Sequence, residues 1–295
     1  MRKGGSPPRL SVVVVSLNEG ASLRQTVENV AATTPENTEI VVVDDGSDDG
    51  SSDFIAAGQH RARLLRTSEL GVARARNFGA RHTTGEVVVF ADAHIELPHD
   101  WWSPMLDALG DPAVGAVAPS IAVAGEPDRK GFGLRFEGPD LEIEWLEPRG
   151  TSPYDVPILP GCCLAMRRAV FDATGGFDDG MIRSGGVDNE FAMRLWLLGY
   201  ALQVVPQVAV LHAFRDQHPY PIFWRTVLYN KMRLALVHFG PERVDRVREA
   251  LGAHPSFAGG LALMAVSDVT SRRNALAAQR RHDDDWFFER FGHDW

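Results

Sequence analysis

Three apolar runs near the N-terminus constrain this chain more than any other feature: LSVVVVS from Leu10, EIVVV from Glu39 and VVVFA from Val87. Each is rich in β-branched residues and apolar enough to be buried on both faces, as strands of a parallel sheet are. Each ends abruptly in polar residues: Leu17-Asn18-Glu19-Gly20, Asp44-Asp45-Gly46-Ser47, and Asp92-Ala93-His94. Helical patterns lie between them. Leu23, Val27, Val30 and Ala31 make one stripe, and Ser22-Leu23-Arg24-Gln25 has the spacing of a capping box. Further helices are predicted over 51–59 and 71–82, the second carrying Arg74 and Arg76, with a short strand over 63–66 between them. Strands alternating with helices predict βαβ units and a mostly parallel central sheet flanked by helices. In such a sheet ligands gather beyond the carboxyl ends of the strands, so the polar strand ends are where chemistry is expected.

Beyond that core the pattern continues with a helix over 100–109 and a strand over 114–117. The texture changes after Val123. Residues 124–160 are dense in glycine and proline, and 141–147 alternate like an exposed strand, so this span reads as a loop-rich insertion at the mouth of the site. Helices are predicted over 167–174 and 187–198, strands over 201–205 and 208–211, and helices over 224–239 and from Pro241 onward.

Composition narrows the function classes. A chain of 295 residues, 44% hydrophobic, can build one large α/β domain or two small ones. Its net charge is −9 and it has no dense Lys/Arg run, which argues against nucleic acid as a partner. An acidic chain that binds an anionic ligand must compensate locally, with a metal or a few placed arginines. Its two cysteines, Cys162 and Cys163, are adjacent and poorly suited to pair with each other, so a reducing, cytoplasmic setting is expected. The opening MRKGGSPPRL lacks the apolar core of a signal peptide. No apolar run reaches the roughly 18 residues of a membrane span. Peripheral membrane contact through an amphipathic tail stays open.

Four groups of residues carry chemistry. Asp92 and His94, two apart at a strand end, can converge on one point, and a carboxylate with an imidazole suits a divalent metal such as Mn2+. The same pair is also what an ordinary turn with a solvated ring looks like. His212, at the end of another strand, can complete the set, with Arg215 nearby for a phosphate. Asp44 and Asp45 are either a turn and helix cap or the seat of a base and ribose; the glycine-rich phosphate cradle of dinucleotide enzymes is absent. Asp188 and Glu190, behind Gly185-Gly186, are either acids favoured at a helix start or a general base facing an acceptor hydroxyl.

In their order and spacing these residues resemble nucleotide-diphospho-sugar glycosyltransferases of the GT-A fold. The broad family-two enzymes match at Asn18-Glu19, Asp44-Asp45-Gly46-Ser47, Ala75-Arg76-Asn77 and Gly79. The chain is still more similar to the catalytic domain of the polypeptide N-acetylgalactosaminyltransferases, through NEGASLRQTV, EIVVVDDGSDD, GVARARNFGA, FADAHIE, GCCLAMRRAVFDATGGFDDGM, SGGVDNEFAMRLW and HAFRDQHPY with Asn230 and Arg233. That resemblance implies a GT-A catalytic domain over 10–240, with a nucleotide-binding half (10–123) and an acceptor half (124–240), followed by a helical extension (241–295). It implies that Asp92, His94 and His212 hold Mn2+ (or Mg2+) and that a UDP-sugar is the donor. Asp44 and Asp45 with Arg76 would hold the uridine, behind Asn18 and Glu19. Arg215 and Tyr220 would contact the diphosphate on a loop able to close. Gly161, Gly185 and Gly186 would shape the sugar pocket, and Asp188 and Glu190 would line it. The acceptor is then a peptide, a saccharide or a small molecule.

Three departures from that pattern are read: a protein without the family's lectin domain and without its anchor and stem is expected, and Val187-Asp188 stands where the family has Glu-Asn. The broad inverting enzymes place their base aspartate at that last position, which tips the expectation towards inversion over retention. Two other classes stay open, a sugar nucleotidyltransferase and a nucleotide-sugar-binding protein without turnover. The first needs a basic, glycine-rich N-terminal loop, which Leu17-Asn18-Glu19-Gly20 does not supply.

Overall fold

The computed structural model describes residues 8–58, 60–215, 217–292 and 295. Its elements follow the chain as β1 (Leu10–Ser16), α1 (Ala21–Thr33), β2 (Glu39–Asp44), α2 (Asp53–Ala56), β3 (Arg63–Arg66), α3 (Val72–Arg81), β4 (Val87–Asp92), β5 (Ile95–Glu96), α4 (Trp102–Ala108) and β6 (Val114–Val123). The second half adds β7 (Glu126–Gly131), β8 (Leu134–Phe136), β9 (Ile143–Trp145), β10 (Tyr154–Asp155), β11 (Cys163–Arg167), α5 (Arg168–Thr174), α6 (Val187–Leu197) and β12 (Ala201–His212). Four of the remaining helices lie close together, α7 (Trp224–His238), α8 (Pro241–Gly252), α9 (Phe257–Met264) and α10 (Val269–Ala277), before α11 (Asp284–Phe291).

Ten strands form one mixed sheet in the order β10-β12-β6-β11-β4-β1-β2-β3, with β5 on β12 and β7 on β6; β8 and β9 form a separate hairpin. The run β4-β1-β2-β3 is parallel, as the apolar patterns predict. Strand β11 lies antiparallel between β4 and β6 and joins that run to the parallel pair β6 and β12. Along β1, β2 and β4 the side chains alternate between two cores. Val13, Val41, Val43, Val88 and Phe90 face one, shared with α3, α6 and α7. Val12, Val14, Ile40, Val42, Val87 and Val89 face the other, against α1 and α4. A strand buried on both sides needs no polar alternate, which is why these runs read as continuous valine. Phe239, Val247, Phe287 and Phe288 belong to the first core, so the C-terminal helices close over the same face as α6.

The structure corrects several local expectations. The two strands expected over 201–211 are one, β12, with a register shift between Val205 and Ala209. Pro206, which has no N–H to donate, lies in that break. Strand β6 extends to Val123 because β12 pairs with it almost throughout. The helix expected over 51–59 shrinks to α2, and Gln59 lies outside the described residues. The capping box does not form: α1 has no side-chain cap, and Ser22 Oγ accepts a hydrogen bond from Arg215 instead. Among the described residues no helix is long and apolar enough to cross a membrane.

Candidate active site

The carboxyl ends of β1, β2 and β4 open into a cavity of about 680 Å³ lined by Glu19, Asp45, Arg76, Asp92, His94, Gly186 and Asp188, and further out by Tyr220 and the start of α7. Strand register assembles its centre. Val15 pairs with Asp92, and the Asp92 backbone N–H donates to Cys162 O at 3.0 Å. The chain turns at Ala93-His94, and β5 pairs antiparallel with β12, setting Ile95 opposite His212. Asp92, His94 and His212 thereby each offer a ligand atom, all within 4.8 Å of one another.

Neighbouring groups orient this trio. Glu19 Oε2 lies 3.1 Å from His94 Nδ1; an N–H there fixes the tautomer and leaves Nε2 as the lone-pair donor. His212 Nε2 lies 3.6 Å from Asp92 Oδ2, and its buried Nδ1 has no hydrogen-bond partner among the described residues. Burial pushes the Asp92 carboxyl up, but the hydrogen bond from His212 and the charges of Arg76, His212 and His94 outweigh it and hold it well below the usual carboxylate range. An ionised carboxylate, two imidazoles and an orphaned ring nitrogen form a donor set that fits Mn2+ or a similar divalent ion.

Arg76 is buried between the two acids of the site. It donates to Asp188 Oδ1, to the carbonyl of Gly161 at 2.8 Å, and to Asp92 Oδ1 at 3.4 Å. Gly161 is a glycine for a visible reason: a Cβ there would lie 2.1 Å from Asp188 Oδ1. Gly186, the N-cap of α6, has φ 73°, a left-handed conformation that glycine adopts without strain, and delivers Asp188 into the first turn facing the cavity.

Several expected roles move. Arg76 lines the cavity and its guanidinium is taken up by Asp92 and Asp188. Asp44 turns away from the cavity, accepting from Ser47 N at 2.9 Å and Ser52 Oγ at 2.5 Å, and lines a separate hollow of about 310 Å³. Asp45 does line the cavity, but its oxygens bind Thr67 Oγ1, Leu70 N and Gly71 N, holding the loop that forms the wall. Asn18, at φ 56°, clamps Ser47 and Asp48 and does not reach the cavity. Arg215 is bound by Glu19 at 2.7 Å, behind His94, and Gly161 also lies just outside the lining. Tyr220 lines the cavity, its hydroxyl pushed up by burial and by the charges of Asp92 and Glu19.

Glu190 is a correction. It is 1% exposed, outside the cavity, and its carboxylate is filled by Arg194 at 2.8 and 3.1 Å and by His238 Nε2 at 2.9 Å. Residues two apart on a helix point about 200° apart, and here that sends Asp188 to the cavity and Glu190 to the core. Sequence reasoning also missed Glu142, Arg183 and Lys231, which line the cavity. Lys231 carried a signal: it repeats at four residues from Val227 on the cavity-facing side of α7. Glu142 and Arg183 come from irregular segments that only the fold brings together.

Comparison with known proteins agrees with this architecture. The profile described as glycosyl transferase family 2 matches residues 11–175, and the one described as N-terminal domain of galactosyltransferase matches 150–218. Polypeptide N-acetylgalactosaminyltransferase 11 of Xenopus tropicalis is 34% identical over 255 residues, covering 78% of this chain and 42% of that protein. Polypeptide N-acetylgalactosaminyltransferase 12 of Mus musculus is 31% identical over 305 residues, covering 96% and 51%. The chain thus spans about half the length of these relatives. A crystal structure of GalNAc-T7 with UDP, GalNAc and Mn2+ superposes with a TM-score of 0.80 at 24% identity, over 97% of this chain and 57% of that one, and so shows the GT-A fold. With the family profile spanning more than half of its residues and the fold agreeing, the chain belongs to glycosyl transferase family 2.

Proposed function

We propose that this protein transfers a sugar, an N-acetylhexosamine before others, from a UDP-sugar to an acceptor hydroxyl, with Mn2+ (or Mg2+) held by Asp92, His94 and His212. The observation that carries this reading is the convergence of those three side chains on one point, with Asp92 and His94 lining the cavity that Asp188 also lines. The names of the relatives make UDP-N-acetylgalactosamine the first donor to test and a peptide serine or threonine the first acceptor. A saccharide or small-molecule hydroxyl is the alternative acceptor.

Bound there, the metal would act as a Lewis acid towards the departing UDP. The chain's own residues do the rest. Glu19 keeps His94 in register, and Arg76 seats Asp92 and Asp188. Asp188, held by Arg76 through Oδ1, takes the acceptor proton as general base, which corresponds to in-line attack and inversion. Tyr220 and the segment around it cover the cavity and exclude water that would hydrolyse the donor. The buried thiols of Cys162 and Cys163, both free and both pushed up by burial, suit a cytoplasmic setting.

The test is release of free UDP from a panel of UDP-sugars with Mn2+ and then with EDTA. Metal-dependent release from one donor is expected. Pyrophosphate formed from UTP and a sugar phosphate would instead support nucleotidyl transfer. Binding of UDP without any release, even with acceptors present, would leave a binding protein.

A further inference from the structure

The acceptor side of the cavity holds a cation that the donor chemistry does not use. The chain has 27 arginines and three lysines, and Lys231 is a buried lysine in the cavity wall. It lies on α7 with Trp224 and Val227, spaced to share one cavity-facing side of the helix. Its ammonium donates to Glu142 Oε1, from the turn that leads into β9. The partners are held unequally: the Lys231 side chain is 9% exposed and that of Glu142 is 55% exposed. An ammonium in a cavity wall needs an anion, whereas an exposed carboxylate loses little on returning to water. Glu142 is therefore the partner that can be exchanged. In the transferase reading the donor's charges have their own partner in the metal held by Asp92, His94 and His212.

Resting on the transferase reading above, we propose that Lys231 is a specificity-determining residue and that the acceptor carries an anionic group, a carboxylate or a phosphate, near the hydroxyl that is glycosylated. Glu142 occupies the lysine in the free enzyme and yields it to that anion. Ile143, Ile222 and Trp224, exposed at the same mouth, cover the rest of the acceptor.

The competing explanation is that Lys231 only ties the β8–β9 hairpin to α7. Capped threonine tetrapeptides with aspartate, phosphoserine or asparagine beside the threonine separate the two, with acceptor-stimulated UDP release as the readout. The full-length protein should prefer the aspartate or phosphoserine peptide over the asparagine one by tenfold or more in kcat/KM, and the better of the two anions identifies the source. Lys231→Met should abolish the preference, a ratio in which changes in donor turnover cancel. The double variant Glu142→Lys with Lys231→Glu restores an ion pair of opposite sense, checked by its melting temperature. It should still lack the anion preference. A double variant with the original preference, a Lys231→Met protein that keeps it, or a parent enzyme blind to both anions would overturn the proposal. Absence of metal-dependent donor hydrolysis in the parent would instead break the transferase reading beneath it.

Discussion

Asp92 with His212 and Arg76, and Glu190 with His238 and Arg194, are the same three side-chain types assembled twice in one molecule. Around Glu190 the contacts are 2.8, 2.9 and 3.1 Å and the carboxylate is 1% exposed. Around Asp92 they are 3.4 and 3.6 Å, the carboxylate is 30% exposed, and one imidazole nitrogen is an orphan. Both acids are held below the ordinary carboxylate range. In each, burial pushes up, and the basic neighbours outweigh it. Perturbed acidity therefore does not separate the two. What separates them is completeness: a set whose hydrogen bonds are all made is a structural joint, and one with gaps and an opening can accept an ion.

The sharpest way to break that comparison is to remove one member of the open set. His212→Ala or Asp92→Asn should lower metal-dependent UDP release about a thousandfold, because several kcal/mol of charge stabilisation go with the metal. Melting temperature should hardly move in metal-free buffer. Activity measured against added Mn2+, beside a melting curve, checks both halves; an active His212→Ala protein removes His212 from the ligand set. Next in size is Asp188→Asn, expected to cost about a hundredfold or more in transfer while UDP binding by calorimetry persists. Near-normal turnover would reduce Asp188 to a helix-start acid.

The same two sets show what could be read from the chain. The valine runs of β1, β2 and β4 announced a parallel sheet because double burial leaves no room for polar alternation. Asp92 and His94 were legible because residues two apart at a strand end fall on one side, and the Ala93-His94 turn completes the convergence. The same spacing misleads on a helix. Asp188 faces the cavity while Glu190 faces the core, and Arg76 turns inward while Arg74 reaches the exposed carbonyl of Asp179. Asp44 and Asp45 were legible as a strand-end turn, and Asp44 does bind its own turn at Ser47 N, but the amides that Asp45 satisfies lie in the loop around Thr67 to Gly71, which is distant in sequence. The wall formed by Glu142 and Arg183 was not legible, because two irregular segments meet α7 and its Lys231 there only through non-local packing.

The closed set makes the opposite prediction. Glu190→Gln leaves Arg194 without its charge partner, and His238 without a charged acceptor, in a site closed to water. Breaking a buried pair on one side costs about 3–5 kcal/mol. At about 2–4 °C per kcal/mol for a domain of this size, melting should fall by roughly 10 °C. The folded fraction should keep most of its UDP release at low temperature. Loss of activity without loss of stability would mean that Glu190 reaches the chemistry after all, and the contrast with Asp92 would fail.

The smallest effect concerns His238, and it tests whether the closed set is tuned to one protonation state. Its Nε2 lies on Glu190, and its Nδ1 lies 3.0 Å from the Arg280 guanidinium, which can only donate. That arrangement fits a neutral ring with its proton on Nε2. Burial lowers His238 below the ordinary histidine value; Glu190 opposes this, and the charges of Arg280 and Arg194 add to it. As pH falls, the unfolded chain takes up the proton before the folded one does. The contribution of a neutral His238 is therefore complete above about pH 6.5 and declines below it, by at most about 1.4 kcal/mol per pH unit. Melting curves of the parent and of His238→Gln between pH 7.5 and 5 should diverge in slope, the parent losing more, because glutamine can still donate to Glu190 and does not titrate. The opposite divergence, the parent gaining on the variant as pH falls, would mean that the ring is already protonated in the folded state. The closed set would then hold two cationic partners for one carboxylate besides Arg280, and its completeness would rest on charge rather than on matched hydrogen bonds.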